Sequence, residues 1–200
     1  DDPRRNGPGA TIGDVGTHAY NLARYMSGLL PAEVLGKLTT FSGRQLDDYG
    51  HALVRCLNDA LIMVTVSQVT HGRLNDLSIE IDGDKASLSW RQEEPDSLTI
   101  RQTGQPQRIY DRAPGQAHMN DSGNAACRIP GGHPEAFFEA FANVYSSAYD
   151  DMIWRVVGGD RDPRSTIYPN VYDGLEGVRF IEQTIASSKA NSVWLPLAAR

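Results

Sequence analysis

The stretch from Val34 to Arg101 constrains the fold most, because its apolar residues follow the period of β-strands and not that of helices. Short apolar runs are separated by turn signals, among them Asn58–Asp59 and the segment DGDK at Asp82–Lys85. Such pairs between apolar runs are typical of tight β-hairpins. Consecutive strands joined in this way predict an antiparallel meander, since parallel strands need long crossover connections.

Three runs give specific strand predictions. In HALVRCL, Ala52, Val54 and Cys56 alternate with their neighbours, which indicates a strand with one buried face. The next run, ALIMVTVSQVT, is largely apolar and predicts a central strand covered on both faces. The closing segment NSVWLPL predicts one more short strand.

Helical periodicity lies on both sides of the strands. The first predicted helix covers Gly13–Ser27 and is ended by Gly28. Its apolar stripe consists of Val15, Ala19, Leu22 and Met26. After the strands, a helix with Pro134 at its first position is predicted, followed by a second helix. Their apolar stripes are Phe137, Phe141, Tyr145, Ala148 and Met152, then Leu175, Val178, Ile181 and Ile185.

Two segments show no periodicity. DRAPGQAHMNDSGNAACRIPGG precedes the helix at Pro134, and its length of about 20 residues predicts a functional or mobile loop. GGDRDPRSTIYPN predicts a second loop before the last helix.

This order predicts an α+β fold in a single domain over residues 1–200: a largely antiparallel open sheet with helices packed on one face. The opposite face, which we expect to carry residues such as Ile62, Val64 and Val66, would be a poor surface to leave in water. We therefore expect a homo-oligomer that forms through the open sheet face.

Composition disfavours two classes of partner. The formal net charge of -6 and the scattered basic residues argue against nucleic acid and against an anionic membrane surface. No apolar run approaches the roughly 20 residues of a membrane-spanning helix.

Cys56 and Cys127 lack metal-ligand spacing and are interpreted as free thiols, which favours a reducing cytoplasm. The opening DDPRRNGPG has no signal-peptide pattern, and we expect the chain to be part of a longer protein.

The first predicted helix carries the candidate site. Asp14, Thr17, His18 and Asn21 stand at i, i+3, i+4 and i+7, so their side chains share one polar face beside the apolar stripe. Gly13 and Gly16 keep the first turn free of bulk. Histidine exchanges a proton near neutral pH, and an acid one turn away can orient it, which suits proton transfer. The alternative is a capping aspartate beside ordinary surface residues.

The segment GATIGDVGTHAYNLARYMSG resembles the motif, often written G-D-[IV]-G-[ST]-H, that opens the C-terminal domain of the Gfo/Idh/MocA oxidoreductases. Three further segments are similar to sugar and cyclitol dehydrogenases of this family, in the expected order. They are GDKASLSWRQEEPDSLTIR, RIPGGHPEAFFEAFANVY and YPNVYDGLEGVRFIEQTIASS. The resemblance covers nearly the whole chain and implies a C-terminal domain of the type found in glyceraldehyde-3-phosphate dehydrogenase.

The resemblance also implies an activity. Family members bind NAD or NADP mainly through an N-terminal Rossmann domain, whose G-x-G-x-x-G turn and catalytic Glu-Lys-Pro motif this chain lacks. Carried over by motif, Asp14 and His18 hold the reacting hydroxyl of a small polyhydroxylated substrate and move its proton. Thr17 and Asn21 are assigned only as candidate substrate contacts.

Two assignments remain less specific. His133 lies beside two glycines at a predicted helix start and is a further candidate for substrate binding, with a cap or an exposed loop residue as the alternative. No third and fourth ligand accompanies Asp14 and His18, so no metal site is predicted. A non-catalytic binding or oligomerisation module of the same fold is the alternative function.

Overall fold

The computed structural model describes residues 2–41, 43–160 and 168–197. The chain forms two compact units: the first comprises residues 1–74 and 170–200, and the second comprises residues 75–169. Each unit contains one four-stranded antiparallel sheet. The predicted α+β class with antiparallel open sheets is therefore confirmed, whereas the assignment of one domain to residues 1–200 stays a prediction.

The strands form two sheets and not the single sheet expected from the sequence. β3 ends at Ser67 and β4 begins at Ser78, so their connection is too long for a tight hairpin that would keep them paired. The predicted turns within each meander are confirmed. Asp59 has a φ of 64° between β2 and β3, and the Gly83 N–H donates to the Ala86 carbonyl between β4 and β5.

The first unit has the sheet order β3-β2-β1-β8. Its strands are β1 (Pro31–Thr39), β2 (Tyr49–Cys56), β3 (Leu61–Ser67) and the predicted short closing strand β8 (Leu195–Pro196). Its helical segments are α1 (Pro3–Asn6), a π-helical segment (Ile12–Gly16), α2 (Thr17–Ser27) and α5 (Val171–Lys189).

Helices cover one face of this sheet, as predicted, and one glycine sets their approach. A Cβ on Gly36 of β1 would collide with the backbone carbonyl of Thr184 on α5. Glycine therefore lets α5 lie against the strand, and the Gly36 N–H donates to Ser187 Oγ over 2.9 Å. The core between helices and sheet includes Ile12, Tyr20, Val34, Ala52, Val54, Cys56, Ile62, Val64, Val66, Phe180 and Ile185.

Two predictions for β3 are wrong. β3 is an edge strand and not a central one, and Met63 is 80% exposed on its outer face. Ile62, Val64 and Val66 are only 7%, 4% and 5% exposed, because the two-residue alternation of the strand directs them to the face that the helices cover. The open face carries the alternate residues instead. Its apolar centre is a cross-strand row of Leu35, Leu53 and Met63, which we call the outer row.

The predicted helical stripes are only partly correct. Val15 and Ala19 pack against the core, but Met26 is 51% exposed, and Tyr20, which the stripe omitted, is buried. On α5, Ile181 and Ile185 lie at the core, whereas the other two members are exposed. Phe180 takes the central place and stacks on Tyr20 with ring centroids 4.1 Å apart.

The second unit contains the meander β4-β5-β6-β7. Its elements are β4 (Ser78–Asp82), β5 (Ala86–Arg91), β6 (Ser97–Gln102), β7 (Arg108–Asp111), α3 (Asp121–Ala126) and α4 (Phe137–Val157). The loop predicted after β7 thus contains a short helix. The next helix starts three residues after Pro134, because Glu139 caps it by accepting from the Ala136 N–H. Residues 161–167 of the second predicted loop lie outside the described residues.

Both cysteines are free thiols, as predicted. Within the part of the chain that the structure describes, no helix is long and apolar enough to cross a membrane.

Candidate active site

The candidate residues of the first helix are carried by two kinds of helical turn. Asp14 lies in the π-helical segment and donates its N–H to the Ala10 carbonyl over 2.8 Å. Thr17, His18 and Asn21 lie on α2, which Gly28 ends, as predicted, by adopting a left-handed conformation after Ser27. The regular 100° per residue of an α-helix does not apply through a π-helical turn, so the sequence pattern could not fix where Asp14 lies relative to His18.

A carboxylate from a distant loop holds the start of this helix. Asp47 accepts from the Ala10 N–H over 2.7 Å and from the Ile12 N–H over 2.8 Å. Its backbone carbonyl accepts from the Thr11 hydroxyl over 3.0 Å. Asp47 is only 7% exposed and places negative charge at the positive end of the helix dipole. Asp47 therefore performs the capping that the sequence had offered to Asp14, and Asp14 is a first-turn acid.

Asp14 is exposed and is held by a glutamine. Gln68, the residue after β3, donates from Nε2 to Asp14 Oδ2 over 2.9 Å. Both side chains line a cavity of about 540 Å³ in the first unit. The complete lining consists of Pro8, Gly9, Ala10, Gly13, Asp14, Arg44, Gln68, Val178, Ile181 and Glu182.

The two glycines of the first turn have different roles. A Cβ added at Gly13 would meet no atom within 4 Å, so the backbone there faces open space beside the cavity, as predicted. Gly16 is buried, and a Cβ on it would lie 2.7 Å from Ile12 Cδ1. A larger residue at position 16 would therefore require the buried Ile12 side chain to shift.

The structure does not bring all the candidate residues to the cavity lining. His18 and Asn21 are exposed on α2 and are not among the lining residues. Thr17 is half-buried, and its hydroxyl oxygen lies 3.2 Å from the place that a Cβ on Gly177 would take, so it faces α5. Asp14 is the candidate that the structure places in the cavity wall.

His133 belongs to the second unit. Its side chain is exposed, and its Nδ1 lies 3.2 Å from the Pro130 carbonyl. Arg112 fixes the turn that carries it by donating to the carbonyls of His133 and Ile129. The same guanidinium pairs with the buried carboxylate of Glu135 at 2.7 Å. A hydrogen bond from Arg112 to Asp96 raises the pKa of the guanidinium, so its charge is retained at any physiological pH.

A tyrosine links α2 to α5 near the candidate residues. Tyr20 donates its hydroxyl to Glu176 Oε1 over 2.8 Å, and Arg24 donates to the same oxygen over 3.0 Å. Burial, together with the hydrogen bond to Glu176, raises the pKa of Tyr20 far above its usual value. This pair and the stacked Phe180 ring hold the candidate helix on α5.

Sequence reasoning missed Asp47, Gln68, Arg44 and Glu182. Asp47 stood in a polar loop, and the signal it offered was a pair of adjacent acids in LDDY. Gln68 follows the strand with no periodic or motif signal. Among the described residues, no group of three or more His, Cys, Asp and Glu side chains is gathered so that it could hold a metal ion.

Comparison with known proteins identifies relatives over almost the whole chain. The family profile described as "Oxidoreductase family, C-terminal alpha/beta domain" matches residues 1–197. The uncharacterized oxidoreductase YfiI of Bacillus subtilis strain 168 is 30% identical over 197 residues, which are 97% of this chain and 50% of that protein. The chain thus spans about half the length of this relative.

Solved structures show the same relationship. An oxidoreductase from Sinorhizobium meliloti is 38% identical with a TM-score of 0.85, and the match covers 92% of this chain and 51% of that one. An inositol dehydrogenase homolog from Azotobacter vinelandii, complexed with NAD+, is 30% identical with a TM-score of 0.84, over 98% and 50% of the two chains. Its structure with NADH and myo-inositol matches with 29% identity and a TM-score of 0.83, over 96% and 51%.

Proposed function

Because the chain belongs to the Gfo/Idh/MocA family of oxidoreductases, as their C-terminal α/β domain, we propose that it supplies part of the substrate site of an NAD(P)-dependent dehydrogenase. The substrate class is a sugar, a cyclitol or a related polyol, since one structural relative is complexed with NADH and myo-inositol. The observation that carries the proposal is the position of Asp14 in the wall of a cavity of about 540 Å³. This volume lies within the usual range of small-molecule sites, about 300–1,000 Å³.

The chemistry assigned to this chain is proton transfer. Oxidation of a secondary alcohol removes a proton from oxygen and a hydride from carbon. In the proposal, His18 accepts the proton, and Asp14 orients His18 or the reacting hydroxyl. Thr17 and Asn21 are proposed contacts for the other hydroxyl groups of the substrate. His133 is proposed as a substrate contact on the sequence resemblance alone.

The cofactor is assigned mainly to another part of the parent protein. When bound, the nicotinamide accepts the hydride. The cavity lining offers the carboxylates of Asp14 and Glu182 and the amide of Gln68, which suit the hydroxyl groups of a polyol, together with the guanidinium of Arg44. The sequence contains no G-x-G-x-x-G turn for the cofactor phosphates. We expect no NAD(P) turnover by these 200 residues alone. Two free thiols support a cytoplasmic location as part of the same proposal.

Substitution of the proposed pair in the full-length parent tests this function. Asp14→Asn and His18→Asn should each lower kcat/KM for polyol oxidation by about 100-fold or more, the usual contribution of a general acid or base. The matched controls are Asp59→Asn, in an exposed turn where asparagine accepts the φ of 64°, and His71→Asn, also exposed. Both controls should stay within about 2-fold of the wild type. Unchanged activity in either test variant would remove that residue from the site.

We also propose that the parent protein self-associates through the open face of the first sheet. The outer row gives this face an apolar centre, and polar pairs flank it on both sides. Arg55 pairs with Glu33 at 2.8 Å and lies 4.3 Å from the centre of the Trp194 ring, and His51 contacts Thr65 at 3.1 Å. An apolar centre with a polar rim is the usual composition of a homodimer interface.

Light scattering after size-exclusion chromatography tests the assembly. Met63→Lys should reduce the molar mass to that of a smaller assembly, because it places a charge in the outer row. Leu74→Lys is the control, since Leu74 is also exposed, at 86%, but lies outside the sheet. A mass unchanged by Met63→Lys would exclude this face. If the protein assembles but the Asp14 and His18 variants keep full activity, the non-catalytic module becomes the better description.

A further inference from the structure

A glutamine that the proposed chemistry does not use lies against the proposed acid. Gln68 donates from Nε2 to Asp14 Oδ2 over 2.9 Å, and both residues line the cavity. We propose that Gln68 is a positioning residue that sets the orientation of the Asp14 carboxylate toward the substrate. This inference rests on the proposed function and adds a residue that the family motif does not contain.

The backbone of Gln68 is fixed where the side chain begins. Its N–H donates to the Asp48 carbonyl over 2.9 Å, and Asp48 is fully buried. The Asp48 carboxylate accepts from the Phe41 N–H at 2.9 Å, and the Asp48 N–H donates to the Thr39 carbonyl over 3.1 Å. The loop between β1 and β2 therefore anchors the residue that contacts Asp14.

The backbone of Asp14 is fixed independently. The Asp47 carboxylate holds the N–H groups of Ala10 and Ile12, and the Asp14 N–H itself is bonded to the Ala10 carbonyl. The remaining freedom of Asp14 lies in its side chain, whose terminal torsion is broad in aspartate. A hydrogen bond to one carboxylate oxygen restricts that torsion. Gln68 thereby leaves Oδ1 as the oxygen that meets a substrate hydroxyl.

The amide group suits this role because it donates without adding charge. A leucine at position 68 would keep much of the volume but would have no donor. A glutamate would keep the shape but would place a second carboxylate beside Asp14, where like charges repel. Gln68→Leu therefore tests the loss of the hydrogen bond, and Gln68→Glu tests its replacement by charge repulsion.

A double-mutant cycle in the full-length protein tests the inference. The assay uses NAD+ and the polyol oxidised fastest in a panel that begins with myo-inositol. Gln68→Leu should lower kcat about 10- to 100-fold with KM changed less than about 3-fold, because hydrogen bonds to charged groups and small misplacements have effects of this size. Gln68→Glu should lower kcat at least as much. In an Asp14→Ala background, Gln68→Leu should add less than about 2-fold.

A structural readout and a control accompany the kinetics. In a crystal structure of Gln68→Leu, the Asp14 carboxylate should adopt a different orientation, and an unchanged orientation would overturn the inference whether or not a polyol is turned over. Gln116→Leu, at an exposed position in the second unit, is the matched control and should leave kcat within about 2-fold.

The outcomes distinguish this inference from the proposed function. If Asp14→Ala lowers kcat and Gln68→Leu does not, the positioning role is wrong and the proposed function stands. If Gln68→Leu lowers kcat by the same factor in both backgrounds, Gln68 acts independently of Asp14 and the inference is again wrong. If Asp14→Ala itself has no effect, both the function and the positioning role are overturned.

Discussion

The two units bury different chemical groups, although each contains a four-stranded antiparallel sheet. In the first unit most buried side chains are apolar and lie between the sheet and its helices. Among the described residues of the second unit, the buried ones are the acids Glu135 and Asp151, at 7% and 1% exposure. Glu135 is paired with Arg112 and Asp151 with Arg155, each at 2.7 Å. An apolar core stabilises one unit, whereas the buried residues of the other are carboxylates in ion pairs.

The two long helices show why similar periodicity leads to different burial. Phe180 of α5 is fully buried because Gly36 lets the helix approach β1. On α4, Phe138 and Phe141 are 83% and 51% exposed. A helical period shows that an apolar face exists, but burial also requires a surface of matching shape within the chain.

The largest effect should come from removing the ring at the centre of the first unit. Phe180→Ala should lower the free energy of unfolding by about 3–5 kcal/mol, because it leaves a cavity against the stacked Tyr20 ring. The same change at the half-exposed Phe141 should cost less than about 1 kcal/mol.

Hydrogen exchange with mass spectrometry on the full-length protein reports each unit separately. Phe180→Ala should increase exchange in the first unit and leave residues 75–160 close to the wild type. If Phe180→Ala and Phe141→Ala lowered the free energy of unfolding by the same amount, Phe141 would have to be buried in the full-length protein. The contrast in burial between α5 and α4 would then be wrong.

Local rules predicted most of the fold. The alternation of Ala52, Val54 and Cys56, the turns at Asp59 and Gly83, and the closing strand are all confirmed. These features depend on neighbours along the chain, which the sequence displays directly. The assignment of β3 as a central strand is wrong, because an apolar run does not reveal which of its edges pairs with another strand.

The candidate site was predictable only in part. Asp14 lies in the wall of a cavity, but Gln68, which bonds its carboxylate, and Asp47, which holds the start of its helix at Ala10 and Ile12, are far along the chain. A local pattern contains no information on such long-range partners. The π-helical turn also changes the angular relation between Asp14 and His18, and no sequence rule used for regular helices describes it.

The next largest effect should come from the buried acid of the second unit. Glu135→Ala removes the partner of Arg112 and the acceptor for the backbone N–H groups of Arg128 and Ile129. Loss of one partner from a buried pair should lower the free energy of unfolding by about 2–3 kcal/mol. Exchange should increase at Arg128 and Ile129, while Glu94→Ala, at an exposed position, should have little effect. An effect spread equally over both units would contradict the comparison.

Removing the long-range cap of the first unit should have a smaller effect. Asp47→Ala should cost about 1–2 kcal/mol, the range for loss of a helix cap, and should increase exchange at Ala10 and Ile12. Asp47→Asn keeps one acceptor and should cost about half as much. Asp150→Ala, on the exposed face of α4, serves as the control. Unchanged exchange at Ala10 and Ile12 in Asp47→Ala would show that the cap is dispensable.

The smallest predicted effect is an alkaline loss of stability in the first unit. Burial and the bond to Glu176 raise the pKa of Tyr20 in the folded state, whereas in the unfolded chain the hydroxyl ionises at about pH 10. The contribution of Tyr20 to the free energy of unfolding is therefore present below pH 10. It decreases as the pH rises above that value, and the loss is about 1 kcal/mol near pH 10.7.

Urea unfolding between pH 8 and pH 11 measures this loss against Tyr20→Phe. The wild type should be the more stable protein at pH 8, and its advantage should shrink above pH 10, because phenylalanine has no proton to release. Burial also raises the pKa of the Cys56 thiol, but that loss occurs in both proteins and cancels in their difference. In the second unit the raised pKa values belong to arginines such as Arg112 and Arg155, which remain protonated throughout this range. Alkaline exchange should therefore increase at α2 and α5 first, and parallel pH profiles of wild type and Tyr20→Phe would show that the Tyr20 hydroxyl does not link stability to pH.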